Sequence, residues 1–136
     1  MEHAKPHKVI VKLMSVSAPV DKVFAFFEDV KTSMEAGKAA KSVTKGDDGW
    51  WTFDHVTAGP AKLRHTTVRN AGVIDHTFSG GGLEWTVYVR IVPNRGGSTT
   101  SWTFIRPDRL TDEQFENQLK SFDHEIELWK QALESP

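Results

Sequence analysis

Three histidines on consecutive predicted strands, His55, His65 and His76, are the residues best suited to chemistry in this chain of 136 residues. Neutral imidazole is a common metal ligand and, near neutral pH, an effective acid or base. Residues of matching parity across a hairpin share one face, so a turn around Ala58 to Ala61 sets His55 and His65 side by side. The next turn decides what joins them. A two-residue turn brings His76 opposite His65 and makes a row of three imidazoles, the geometry a divalent metal would use. A three-residue turn with Gly72 in the left-handed region instead puts Asp75 on the His65 face. There a carboxylate would fix the ring tautomer while the other nitrogen moves a proton. Asn70-Ala71-Gly72 suits the three-residue loop, so the expected pair is His65 with Asp75. The plain alternative is that these residues are cross-strand hydrogen-bonding partners or surface groups. There is no cysteine and no spacing-specific metal motif, and the expectation is that no metal or cofactor is held.

The second set is aromatic. Five tryptophans and eight phenylalanines stand in a chain whose hydrophobic fraction is only 38%. Alternation puts Trp51, Phe53 and His55 on one face of their strand, and Trp102 with Phe104 on one face of another. Core packing accounts for most of these rings. A sheet this aromatic, closed by a helix presenting Phe122 and Trp129, can also leave room for a flat apolar guest. Phe53, Trp85 and Trp102 are the expected lining, and Phe24 and Phe27 the expected mouth. Arg64 and Arg90 alternate with the apolar positions and belong on the outer face. Asp123, His124, Glu125 and Glu127 read as the solvated side of the last helix.

Those residues must be positioned by regular elements. Residues 111–134 contain no glycine or proline, and Phe115, Leu119, Phe122, Ile126, Trp129 and Leu133 recur at steps of three and four, which marks a long amphipathic helix. Thr111 and Gln114 form a capping box, with Leu110 and Phe115 as the hydrophobic staple. At the other end, Val9 to Val16 alternates as a strand. Pro19, as a first helical residue, opens a short helix to about Val30, and a second segment from Thr32 to Ala40 is interrupted by Gly37. From Lys41 the period becomes two. Strands are expected at 41–45, 50–56, 62–69, 73–79, 83–92 and 98–105, separated by short turns rich in Gly, Asn, Asp and Pro. The triple glycine, Gly80-Gly81-Gly82, precedes a strand rather than a helix, so it is a hairpin tip and not a phosphate loop. The order β-α-α-β-β-β-β-β-β-α with short connections implies an α+β fold: a curved antiparallel sheet wrapped around the last helix, as one domain over 1–136.

Composition narrows the function classes. Acidic and basic residues nearly balance at a formal net charge of -1, which argues against nucleic acid as a partner. No apolar run approaches the roughly 20 residues of a membrane span, and the polar start, Met1 to Lys8, lacks the apolar core of a secretory signal. A soluble, cytoplasmic protein is expected, as a monomer or homodimer.

The segment Val16-Ser-Ala-Pro-Val-Asp-Lys-Val-Phe-Ala-Phe-Phe27 resembles the strand-to-helix opening of the START-like or SRPBCC superfamily, the polyketide cyclase/dehydrase and lipid-transport group. Gly72 to His76, Val89 to Ser98 and the terminal Leu128 to Glu134 support the resemblance, which covers nearly the whole chain. It implies the helix-grip fold and leaves the chemistry open. The leading expectation is a carrier, sensor or store for a small hydrophobic or aromatic molecule, with Phe24, Phe27, Phe53, His55, His65, Asp75, His76, Trp85, Trp102 and Phe122 around it. The alternatives are a cofactor-independent cyclase or dehydratase using His65 and Asp75, and a protein-interaction module like the superfamily's chaperone partners.

Overall fold

The computed structural model describes residues 5–135. Strand β1 (Val9–Val16) is followed by helices α1 (Val20–Glu28) and α2 (Val30–Ala36). Six strands come next: β2 (Ala40–Lys45), β3 (Trp51–His55), β4 (Gly59–Val68), β5 (Val73–Gly80), β6 (Leu83–Asn94) and β7 (Gly97–Ile105). Helix α3 (Asp112–Glu134) closes the chain. The strands form one antiparallel sheet in the order β1-β7-β6-β5-β4-β3-β2, with α3 gripped on its concave side: the helix-grip fold.

The helices begin and end where local chemistry requires. The Thr111 hydroxyl accepts from Gln114 N–H at 3.1 Å and the Gln114 side chain accepts from Thr111 N–H at 2.9 Å, so two otherwise unpaired donors of α3 are satisfied. Pro19 lies one residue before the α1 helical run, with extended backbone, rather than inside the first turn. Asp29 separates α1 from α2, and its carboxylate accepts from Thr32 N–H. Gly37 ends α2 because of a neighbour. A Cβ there would come within 2.8 Å of the Trp129 ring nitrogen, which donates to Ser33 O at 2.7 Å and ties α3 to α2.

Two hairpins differ from the sequence expectation, and both differences move the histidines. The β3–β4 turn occupies residues 56–58, so His55 pairs with Gly59, whose φ of +72° suits glycine. His65 lies six residues further along β4, about 20 Å at strand rise, not beside His55. The β4–β5 connection is a four-residue loop, 69–72, rather than a three-residue one. Gly72 is left-handed as expected (φ +65°), and a Cβ there would meet Ile91 O at 2.1 Å. One extra loop residue shifts the parity. His76 therefore stands opposite His65, and Asp75 stands opposite Thr66 on the other face.

The interior divides into two apolar clusters. The larger joins α1 and α3 to β1, β5, β6 and β7 through residues such as Phe24, Trp102, Phe115 and Trp129. The smaller joins α2 to β2, β3 and β4 through Val30, Val43, Phe53 and Leu63.

Candidate functional site

Between those clusters, beneath α3, lies a hollow of about 540 Å³, within the range of small-molecule sites. Its floor follows from the sheet register. His65, His76, Val87 and Phe104 form one row across β4, β5, β6 and β7; Leu63, Phe78 and Trp85 form the next. Helix α3 supplies the roof through Leu119, Phe122, Glu125 and Trp129. Exposed Thr57, Gly81, Asn117, Gln118 and Ser121 form a polar rim. The β5–β6 tip at this rim is a two-glycine turn, Gly81 and Gly82 both at positive φ, held by a 2.9 Å bond from Arg109 to Gly82 O.

One end of the hollow is filled by rings. Trp102 stacks on Trp129 at 5.6 Å and meets Phe27 and Phe122 edge-on at 5.6 and 5.2 Å. Phe27 and Phe122 also contact Trp129 edge-on, and Phe104 contacts Phe122. The rest of the lining includes the polar groups.

The titratable groups of the lining are three imidazoles and one carboxyl. The His65 and His76 rings lie 6.1 Å apart, centre to centre. Burial pushes His65 down to about 4, and burial together with the neighbouring His65 pushes His76 down to about 3, so both are neutral near pH 7. Neither ring has a hydrogen-bond partner among the described residues. His55 is different. Its Nδ1 accepts from the N–H groups of Thr57 and Ala58 at 3.2 and 3.1 Å, which places the ring proton on Nε2 and commits the side chain to the β3–β4 turn. Burial lowers its pKa too. Among the described residues no group of three acidic or histidine side chains could hold a metal ion.

Glu125 departs from the expectation that placed it, with Asp123, His124 and Glu127, on the mostly solvated face of α3. It faces the hollow, and burial raises its carboxyl to about 7. The signal was present in the spacing: Glu125 is three residues after Phe122 and four before Trp129, on the stripe that points inward. Gln118, four residues before Phe122, belongs to the same stripe.

Of the other expected site residues, Phe27, His55, His65, His76, Trp85, Trp102 and Phe122 line the hollow. Phe24 does not; it is 1% exposed in the core, covered by the Arg69 guanidinium at 4.6 Å. Phe53 lies in the smaller apolar cluster against Phe78. Asp75 is outside the hollow. Its carboxylate accepts from Val89 N–H at 2.7 Å where the β5–β6 ladder is interrupted, so it works as a backbone acceptor rather than as a partner for His65. Arg64 and Arg90 are exposed, and Arg64 stacks on Trp50 on the outer face. A second depression of about 770 Å³ runs past exposed Ser42, Thr52, Asp54, Pro60 and Lys62, and is open to solvent along its length.

Comparison with known proteins places the fold. No family model matches the sequence, and no curated protein matches it. Solved structures do. The crystal structure of Ara h 8.0201 superposes with a TM-score of 0.66 at 16% identity, over 93% of this chain and 97% of that one. A protein from Chromobacterium violaceum gives 0.72 at 17% identity over 96% and 100% of the two chains. Aha1 from Colwellia psychrerythraea, solved in solution as a dimer, gives 0.71 at 11% identity over 93% and 96%. At these identities the likeness is one of fold. Among the described residues no helix is long and apolar enough to cross a membrane.

Proposed function

We propose that this chain is a START-like domain that binds a small hydrophobic or aromatic molecule in the hollow beneath α3, as a carrier, sensor or store. The observation that carries the reading is the hollow itself: about 540 Å³, walled by rings and aliphatic side chains, with unpartnered His65, His76 and Glu125 in its lining. The driving force would be burial, on the order of 25 cal/mol per Å² of apolar surface removed from water. The polar groups would orient one end of the guest, since each needs a hydrogen-bond partner. The neutral fluorophore N-phenylnaphthylamine tests this, because it brightens in an apolar site and accepts energy from tryptophan. Saturable brightening with tryptophan-sensitised emission is expected. Emission unchanged from that in buffer overturns the reading.

One observation favours a second reading, a protein-interaction surface. Strand β1 is a sheet edge, and its outer face exposes Val9, Val11 and Leu13 at 49, 52 and 62%. The hollow and this edge lie on opposite faces of the sheet, so both readings can hold together.

A further inference from the structure

Among the described residues nothing balances the one acidic group of the hollow. Glu125 makes no hydrogen bond or ion pair among the described residues, and no lysine or arginine lines the hollow. The titratable groups facing it from the sheet are His55, His65 and His76. From α2 come Val30, Ser33 and Met34, from α1 Phe27, and from α3 itself the neutral polar Asn117, Gln118 and Ser121, none of them titratable.

Resting on the reading of the hollow as a binding site, we infer that its preferred guest is an apolar or aromatic molecule carrying a protonated amine, with the ammonium against Glu125. Three features of the wall fit such a guest. A partly buried carboxylate without a countercharge is costly, and an ammonium removes that cost. Aromatic rings of the lining, Trp85 among them, carry the negative side of the quadrupole on their faces and suit a cationic guest. Neutral His65 and His76 each offer a ring nitrogen as acceptor, and an ammonium is donor only. An acid of the same size would bring a second negative charge to a wall with no cation to meet it.

Proton linkage gives the inference a signature. An alkylammonium, with a pKa near the lysine value of about 10.4, stays charged between about pH 6 and pH 8, whereas Glu125 titrates inside that window. Ammonium binding favours the ionised carboxylate, so affinity should rise about tenfold from pH 6 to pH 8.

The test is calorimetric titration with three naphthalene probes of matched size: naphthylethylamine, naphthylethanol and naphthylacetic acid. Near pH 8 the amine should bind about tenfold more tightly than the alcohol, with the acid weakest of the three. The amine's advantage should shrink near pH 6. In Glu125→Gln it should vanish at both pH values, with a thermal melt confirming that the variant is folded. Equal binding of amine and alcohol, preference for the acid, or an amine preference that survives Glu125→Gln overturns the inference while leaving the hollow as a binding site. Failure of all three probes to bind overturns both.

Discussion

The lining of the space beneath α3 has two parts on the same sheet and helix, a filled one of interlocked rings and an open one of unpartnered polar groups. At the filled end, Phe27, Trp102, Phe122 and Trp129 arrive from three elements and interlock with ring centres 5.1–5.6 Å apart. At the open end, the sheet offers His65 and His76, and the helix offers Glu125. None of these can be pressed into apolar contact without losing hydrogen bonds, and water or a guest must keep them company. Aromatic content alone therefore does not make a cavity. The rings pack against one another, and the polar groups are left without partners among the described residues.

That contrast can be broken from either side. Trp102→Ala, at the centre of the filled end, should cost about 3–5 kcal/mol of stability in chemical denaturation. A loss below about 1 kcal/mol would mean the rings are not close-packed. At the open end, His76→Phe should fill space without damaging the fold, because it removes a buried imidazole that lacks a partner. N-phenylnaphthylamine affinity should fall at least about tenfold while the melting temperature holds or rises. Unchanged affinity would place the guest elsewhere.

The smallest effect expected is in the pH dependence of stability, where the polar groups oppose one another. His65 and His76 have folded pKa values below the ordinary 6.5, so the unfolded chain takes up protons first and stability falls as pH drops from about 6.5 toward 4 and 3. Glu125 has a folded pKa above its ordinary 4.5, so its contribution is present at low pH and is lost as pH rises through about 7. Glu125→Gln should therefore stabilise the protein on the order of 1–2 kcal/mol near pH 8, with the gain gone near pH 4.5. Its acid-side loss should be steeper than that of the natural protein. Denaturant midpoints across pH would show this, and parallel curves would mean Glu125 is well solvated.

Much of the fold was legible in the sequence because it is written in local spacing. The Thr111–Gln114 box, the inward stripe of α3 and the alternation Leu83, Trp85, Val87, Val89, Ile91 each follow from a few neighbouring residues. The histidine geometry was not legible, because it turns on loop length. Gly59 follows Val-Thr-Ala and Gly72 follows Arg-Asn-Ala, and both adopt positive φ, yet the first closes a three-residue turn and the second a four-residue one. One residue of difference takes Asp75 from the His65 face and gives it to Val89 N–H. Glu125 was hidden by its company: Asp123, His124 and Glu127 are solvated, and a run of charges masks one member turned inward. The hollow depends on how far apart whole elements stand, which no local pattern records.

The most direct test is an amide and side-chain NMR titration of the protein with naphthylethanol. Shifts concentrated at His65, His76, Phe78, Leu119 and Glu125, with Val11 and Leu13 on the outer face of β1 unmoved, are the predicted result. Shifts confined to the outer face, or none at all at saturating probe, would contradict a binding hollow beneath α3.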